Sequence, residues 1–305
     1  MNWKMKLRAT ASVLAISLLA ACGGGGGDSG DDGGPVVKDS AEGFYVGTTS
    51  NGRSLTGLVL DDGNYWILYS LANNSSVIGG VVQGNSTSTN GAFTSRNGRD
   101  FNFEGGGIGD FSIAGSYAAK RSIAGNLTYT GVSQQYSFSG TYDDSYGRSV
   151  TLADVAGSYS GVSASAEGTE SASLNVTAAG GISGSGASGC RFTGTVTPRG
   201  TVAVYNLTLS FLGGLCEQGT SSLTGVAYLD PDTRQLFGAA LNSARSDGAL
   251  FVGQKAATPA TSFGSSSSAV VTTGSSSGCG SRGGPGYRKA NGQCASWADY
   301  YAGRR

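Results

Sequence analysis

The sequence predicts an all-β protein with two antiparallel meander domains, each a small β-barrel or a β-sandwich. Short runs of alternating apolar and polar residues recur along the chain, as in strands with one buried face. Asn-Gly and Asp-Gly pairs separate the first runs, and such pairs suit tight hairpin turns. The 305 residues include 53 glycines and no histidine, and 13% are charged. This composition fits strands and turns better than helices.

The first domain is predicted to span residues 43–150. It opens with the strands GFYVGTT, SLTGLVL and NYWILYS, which are separated by Asn51-Gly52 and Asp62-Gly63. Both central residues of a hairpin turn must accept a positive φ, and these dipeptides do so readily. Later segments, ending with QYSFSGTY, continue the series of short strands.

The second domain is predicted to span residues 151–255. It follows SVTLADVAG, the one short helical candidate, and its first strand, GSYSGVS, repeats the Gly-x-aromatic-x-Gly pattern of GFYVGTT about 114 residues later. In VAVYNLTLSF, period-two alternation predicts that Tyr205, Leu207, Leu209 and Phe211 point inward. The echo between the two first strands indicates two related domains.

Glycines inside the strands favour the barrel over the sandwich. They weaken a flat sheet but permit the bending that a small closed barrel needs, and closure also removes exposed strand edges. The glycines concerned are Gly57, Gly115, Gly140, Gly194 and Gly225. No helix is long enough for a crossover connection, so the strands are predicted to pair antiparallel.

The amino terminus has the organisation of an export signal. Lys4, Lys6 and Arg8 precede a 13-residue apolar segment that ends at Ala21. That segment is shorter than the roughly 20 residues that a membrane-spanning helix needs. Residues 1–21 are therefore predicted to be a signal peptide.

The signal ends in a motif that carries a resemblance. Leu19-Ala20-Ala21-Cys22 resembles the lipobox of bacterial lipoproteins. The resemblance implies cleavage before Cys22, a thioether-linked diacylglycerol and an N-linked acyl chain such as palmitate. Because Gly23 rather than aspartate follows, it also implies sorting to the outer membrane. Two or more acyl chains anchor a protein stably to a bilayer.

Residues 22–42 are predicted to be a flexible tether rich in glycine and aspartate. The domains would then face the periplasm or the cell surface. The layout, though no motif, is similar to that of surface lipoproteins of the transferrin-binding type.

A Ser/Thr/Gly linker is predicted at residues 256–278, and a cysteine-framed tail at 279–305. The tail combines basic and aromatic side chains that can contact lipopolysaccharide phosphates, an envelope polymer or an acidic protein surface. The candidate binding residues are Arg282, Tyr287, Arg288, Lys289 and Trp297. The alternative is a solubilising terminal cap.

The four cysteines besides Cys22 fall into two local pairs. In the oxidising compartment of an exported protein, we expect disulfides Cys190–Cys216 and Cys279–Cys294. A metal site is the alternative, but the chain has neither a CxxC motif nor a histidine.

The absence of histidine excludes Ser-His-Asp and Cys-His catalysis and imidazole-ligated metals. We predict no cofactor and no metal. With 20 basic and 20 acidic residues, the chain also lacks the positive charge of a nucleic-acid-binding protein. Three aspartate pairs remain for glycosidase chemistry, but each lies in a turn sequence where aspartate caps its own backbone. They are Asp61-Asp62, Asp143-Asp144 and Asp230/Asp232.

Adjacent aromatic residues give a further candidate. Tyr65 and Trp66 cannot both face the core of a regular strand, so one of them is expected to form a binding patch or line a barrel mouth. The alternative is a core residue beside a stray aromatic one.

Together these features favour a non-enzymatic, outer-membrane-anchored lipoprotein that acts in binding, adhesion or envelope interactions. Its partners would be the membrane and either an envelope polymer or another protein. One alternative is a lipocalin-like carrier of a small apolar ligand, with the aromatic-rich first domain as the candidate carrier. The other is a glycan-active enzyme that uses carboxylates.

Overall fold

The computed structural model describes residues 40–165 and 168–256, which form two closed eight-stranded antiparallel barrels. Each strand pairs with the next one in the chain, and the last strand of each barrel pairs with the first. The all-β prediction is confirmed, and closure decides for barrels over sandwiches. The predicted signal peptide and tail lie outside the described residues, as do the predicted tether up to residue 39 and the predicted linker from residue 257 onward. Residues 40–42, at the end of the predicted tether, are described, and Ala41 is buried.

The first barrel contains eight consecutive strands. They are β1 (Gly43–Thr49), β2 (Ser54–Val59), β3 (Asn64–Leu71), β4 (Asn74–Thr89), β5 (Ala92–Asn102), β6 (Gly107–Ala118), β7 (Ser122–Tyr129) and β8 (Gln135–Tyr142). β4 is the longest, and its register with β5 shifts between Gln83 and Ser86. This bulge bends the long hairpin.

Two short helical segments connect the barrels, a 3₁₀ turn at Asp144–Gly147 and the one-turn helix α1 (Leu152–Val155). The helix lies in the segment predicted to be helical. The second barrel again contains eight strands. They are β9 (Gly157–Ser165), β10 (Gly168–Val176), β11 (Gly181–Gly186), β12 (Arg191–Pro198), β13 (Tyr205–Phe211), β14 (Ser222–Leu229), β15 (Gln235–Leu241) and β16 (Gly248–Lys255).

The strands place apolar side chains inside the barrels and small or polar ones on much of the outer surface. In β6, Phe111, Ile113 and Tyr117 are buried, whereas Ser112 and Ser116 are exposed. In β13, Tyr205, Leu207 and Phe211 are buried and Leu209 packs against the same core, as predicted. An apolar interior beneath a polar outer face is the arrangement expected where the outer face contacts water.

The first strands of the two barrels carry the sequence echo and close both barrels in the same way. Gly47 pairs with Gly140 where β1 meets β8, and Gly161 pairs with Gly253 where β9 meets β16. A Cβ on Gly47 or Gly161 would lie well inside van der Waals distance of a backbone carbonyl oxygen on the opposite strand. Close strand approach therefore requires glycine at both seams.

The aromatic residue of each echo is buried and bound in the same way. The Tyr45 hydroxyl donates to the carbonyl of Ala41 at 2.9 Å, and the Tyr159 hydroxyl donates to that of Val155 at 2.7 Å. Each tyrosine thus ties the segment before its barrel to the barrel interior.

The barrels pack against each other through an apolar face with a polar edge. Phe44 of the first barrel stacks on Tyr228 of the second, with ring centroids 4.8 Å apart. Beyond the apolar contact, Arg245 donates to the carbonyls of Gln83 and Asn97 at 2.6 and 2.7 Å. Arg245 thereby satisfies carbonyls beside the β4–β5 bulge.

Candidate functional site

The second barrel encloses an apolar cavity of about 320 Å³. Its wall consists mainly of aliphatic and phenyl groups, and all eight strands of the barrel contribute to it. They include Leu174, Val176, Ile182, Phe192, Val196, Leu207, Leu209, Phe211, Leu236, Ala249 and Phe251. A dry apolar cavity of about half this volume binds benzene, so the space accommodates a larger apolar group.

The polar residues of this cavity lie at one end of the barrel, where the β9–β10, β11–β12 and β13–β14 connections meet. Glu170, Glu217 and Gln218 line the cavity at this end. Glu170 accepts a hydrogen bond from the Ser188 backbone amide at 2.7 Å, and Glu217 accepts one from the Ser165 hydroxyl. We call Glu170 and Glu217 the acidic rim.

A disulfide joins two of the connections at this end. Cys190, immediately before β12, is bonded to Cys216 in the β13–β14 loop, with Cα atoms 4.4 Å apart. Cys190 also lines the cavity. The predicted pairing is confirmed, and it holds the loop carrying Glu217 and Gln218 against the barrel; Cys279 and Cys294 lie outside the described residues.

The loop also places a leucine at the cavity mouth. Leu215 lines the cavity yet is 70% exposed. An exposed leucine beside an apolar cavity offers an apolar surface to an entering ligand.

The first barrel has a different interior, because a buried carboxylate lies within it. Asp100 is 4% exposed and accepts hydrogen bonds from the hydroxyls of Tyr69, at 2.7 Å, and Tyr129. Asn102 donates to the Tyr69 hydroxyl at 3.2 Å. We call these four residues the Asp100 network.

Burial raises the pKa of Asp100, although the hydrogen bonds from Tyr129 and Tyr69 and the charge of Arg53 act to lower it. Burial also raises the pKa of Tyr69 and of Tyr129. Arg53 lies over the Tyr69 ring, 5.2 Å from its centroid. The network lines a cavity of about 440 Å³ together with aliphatic side chains of the barrel interior.

Of the three aspartate pairs considered for glycosidase chemistry, two lie in turns and the third forms ion pairs with an arginine. Asp143 accepts from the backbone of Ser145 at 2.8 Å, and Asp230 accepts from the backbones of Asp232 and Thr233 at 2.9 Å. Each aspartate thus caps its own turn, as the turn interpretation predicts.

The remaining pair, Asp61 and Asp62, contacts Arg199 of the second barrel at 2.6 and 2.9 Å. The described ranges also contain no group of three or more Asp, Glu, Cys or His residues able to hold a metal.

The structure places the adjacent Tyr65 and Trp66 on opposite faces of β3. Tyr65 is fully buried inside the first barrel, where its hydroxyl lies 2.9 Å from that of Ser95. Burial raises the pKa of Tyr65 to about 12. Trp66 points the other way and packs, partly buried, in the apolar contact between the barrels. Strand alternation separates the two rings, and the second barrel covers the outward one.

The other predicted site residues lie outside the described residues, namely Cys22, Arg282, Tyr287, Arg288, Lys289 and Trp297. Conversely, the sequence analysis missed Glu170, Glu217 and Gln218. Glu170 lies in a strand that lacked a strong sequence signal. The proximity of Glu217 and Gln218 to Cys216 was the available clue, since a disulfide beside polar residues marks an ordered loop.

No family model and no curated protein matches the chain. Among solved structures, it is similar to a crystal structure described as a "putative outer membrane protein" from Bacteroides fragilis NCTC 9343, with 15% identity and a TM-score of 0.22. The match covers 70% of this chain and 96% of the other.

None of the helices in the described part of the chain has the length and hydrophobicity of a transmembrane span.

Proposed function

We propose that this protein is a lipid-anchored binding protein of the cell envelope that holds the apolar part of a ligand inside its second barrel. The observation that carries the proposal is the apolar cavity of about 320 Å³, with its polar groups gathered at one end. Ligand sites are typically cavities of about this size, mostly apolar with a few convergent polar groups.

Two features support a location in the envelope. Leu19-Ala20-Ala21-Cys22 resembles a lipobox, and the Cys190–Cys216 disulfide fits an exported protein because such bonds persist in oxidising compartments. We propose the outer membrane as the destination, since Gly23 follows the cysteine.

The polar residues favour binding over catalysis. The aspartate pairs cap turns or contact Arg199, and the buried Asp100 is held between two tyrosine hydroxyls. The cavity of the second barrel is also the more apolar of the two, so the carrier function moves from the first domain to the second.

The lipid anchor is tested by replacing its cysteine. Cys22→Ala should move the protein from the membrane fraction to the soluble envelope fraction, because the acyl chains supply the membrane affinity. Immunoblots of fractionated cells give the answer. Continued tight membrane association of the variant would contradict the anchor, and protease treatment of intact cells would separate surface display from periplasmic residence.

The cavity is tested with a neutral fluorescent probe, N-phenyl-1-naphthylamine, on the mature full-length chain carrying Cys22→Ala, so that no detergent competes for the site. We expect saturable binding of one probe per chain. Ala249→Phe places a phenyl group in the cavity and should weaken binding at least tenfold. Ala114→Phe makes the same change at an exposed position of the first barrel and should leave binding unchanged.

If both variants bind the probe as the parent protein does, the second barrel is not the site. Probe binding that does not saturate would contradict a defined cavity altogether.

A further inference from the structure

The cavity of the first barrel opens at one end only. At the starts of β1, β3 and β5, the aromatic side chains of Tyr45, Tyr65 and Phe93 are buried in the barrel core, and they are not part of the cavity wall. The cavity lies beyond them, toward the end where the β1–β2, β5–β6 and β7–β8 turns meet. A ligand can therefore enter from the turns but cannot pass through the barrel.

The size of this cavity suits a substituted six-membered ring. Its volume of about 440 Å³ is roughly three times that of an engineered cavity that binds benzene. A closed end and this volume together favour one ring with its substituents over a long chain.

The charged side chains of the cavity already have partners inside the protein. Among the described residues that line it, the charged ones are Arg53, Asp100 and Asp110. Arg53 is paired with Glu104, and Asp110 is paired with Arg99 at 3.0 Å. Asp100 is held within the Asp100 network. A charged ligand would lose its hydration without gaining a free opposite charge, so the cavity favours a neutral ligand.

Polar groups nevertheless occur both deep in the cavity and at its mouth. Asp100 is 4% exposed, and its carboxyl group has more acceptor sites than the two tyrosine hydroxyls use. The other polar residues of the wall are mostly neutral amides and hydroxyls, which can both donate and accept hydrogen bonds. They include Thr49, Asn51, Asn102, Thr130, Gln134 and Ser137. This set matches a ligand with several hydroxyl groups, because a hydroxyl also donates and accepts.

Two aromatic rings supply flat apolar surfaces beside these polar groups. Tyr129 and Tyr136 both line the cavity and are partly buried. Their ring centroids are 6.2 Å apart, and the ring planes are nearly perpendicular, at 88°. The face of an aromatic ring is an apolar surface against which C–H groups of a ligand can pack.

We propose that the first barrel binds a single neutral pyranose residue, either a free sugar or the end of a glycan. A pyranose ring has C–H groups on its faces and hydroxyls around its edge. Tyr129 and Tyr136 would pack against the C–H groups, while Asp100 and Asn102 hydrogen-bond to the hydroxyls. This site is separate from the apolar site of the second barrel and does not depend on it.

The test measures the binding of three glycosides to the mature full-length Cys22→Ala protein by saturation-transfer difference NMR. They are methyl β-D-glucoside, methyl β-D-galactoside and methyl N-acetyl-β-D-glucosaminide. We expect saturable binding of at least one. Sorbitol, which has the hydroxyls but no ring, and cyclohexanol, which has the ring but a single hydroxyl, should bind at least tenfold more weakly than that glycoside, because each lacks one half of the contacts.

A matched pair of variants on β7 then assigns the site to the cavity. Leu127 lines the cavity, whereas its neighbour Asn126 is exposed on the outer face of the barrel. Leu127→Trp fills the space and should weaken glycoside binding at least tenfold. Asn126→Trp makes the same addition outside and should bind as the parent does.

A second pair on β8 tests the aromatic wall with smaller changes. Tyr136→Leu removes a ring that lines the cavity and should weaken glycoside binding about tenfold. Tyr142→Leu removes a ring from the same strand near the closed end and should leave binding unchanged. Hydrogen exchange in β1–β8 checks that each variant remains folded.

A trisaccharide of the bound sugar distinguishes the two sources of the ligand. Binding at least as tight as that of the methyl glycoside identifies the end of a glycan, and a loss of binding identifies a free sugar.

The outcomes separate this inference from the proposed function. Absence of binding by all three glycosides, cyclohexanol binding equal to that of the best glycoside, or unchanged glycoside binding by folded Leu127→Trp would overturn the sugar site. None of these results affects the binding of N-phenyl-1-naphthylamine in the second barrel. Conversely, Ala249→Phe should bind the glycoside as the parent does, and a loss there would place the sugar in the second barrel and overturn the inference.

Discussion

The two barrels share a topology but differ in what fills them. Both are closed eight-stranded meanders whose first strand carries Gly-x-Tyr-x-Gly. In both, the tyrosine hydroxyl is bound to a carbonyl four residues earlier, and the last glycine lies at the seam that closes the barrel. These few positions specify the closed meander twice in one chain.

The interiors then diverge. The first barrel contains the Asp100 network, whereas the second has an apolar wall and a mouth held by a disulfide. Closure requires particular residues at the seam, but interior positions accept either a satisfied polar network or an apolar space. The difference shows that the barrel fold alone does not determine binding; the interior side chains do.

The largest expected effect on stability comes from the glycines at the two seams, where the first and last strands of each barrel pair. Gly47→Ala and Gly161→Ala should each destabilise their own barrel by about 3 kcal/mol, because the added Cβ meets a backbone carbonyl that cannot move without opening the seam. Denaturant unfolding measures this effect.

Gly57→Ala and Gly238→Ala are the controls for the seam variants. Their Cβ atoms would meet side-chain carbons at the ordinary distances of 3.6 and 3.5 Å, so these variants should unfold nearly as the parent does. Equal destabilisation at all four positions would contradict the claim that close strand approach at the seam requires glycine.

The next largest effect is the loss of the disulfide, which should change the stability of the second barrel alone. Cys190→Ser combined with Cys216→Ser should destabilise the second barrel by about 3 kcal/mol, because the bond closes a loop across a sequence separation of 26 residues. The first barrel should be unaffected. Hydrogen exchange resolved by segment measures the two barrels separately, and equal loss of protection in β1–β8 and β9–β16 would contradict this division.

The smallest effect tests the polar interior of the first barrel. Burial raises the pKa of Asp100 above the roughly 3.9 of an unfolded aspartate, so the neutral form favours the folded state. Its contribution to stability is complete below the unfolded pKa and declines as pH rises through the folded pKa.

Asp100→Asn removes this titration. The difference in unfolding free energy between the parent and Asp100→Asn should therefore change with pH across that window, by on the order of 1 kcal/mol. Asp144→Asn, at an exposed position, serves as the control. A pH-independent difference for Asp100→Asn would contradict the raised pKa.

Much of the fold follows from local sequence. Asn-Gly and Asp-Gly turns and period-two alternation predicted strands in both domains, and the echo between Tyr45 and Tyr159 predicted two related units. The pattern predicts short strands where the structure has the long β4–β5 hairpin, because a bulge near Gly84 and Asn85 interrupts the alternation. The bulge is stabilised by a tertiary contact, the hydrogen bond from Arg245 to the Gln83 carbonyl. A local sequence pattern contains no information about such a contact.

The candidate site was less predictable. Glu170 lies in β10 and Glu217 in the β13–β14 loop, and the two come to the same end of the cavity only because the barrel closes. Alternation along β3 predicts that either Tyr65 or Trp66 faces outward without showing which one, and the structure places Trp66 there. That outward face is covered by another barrel of the same chain. Both cases depend on long-range packing, which spacing along the sequence does not encode.

Native mass spectrometry of the protein purified from its own membrane tests the central claim most directly. We predict one small molecule bound per chain, retained by Ala114→Phe and lost from Ala249→Phe. A parent protein that carries no such mass, or an Ala249→Phe variant that keeps it, would contradict a ligand held inside the second barrel.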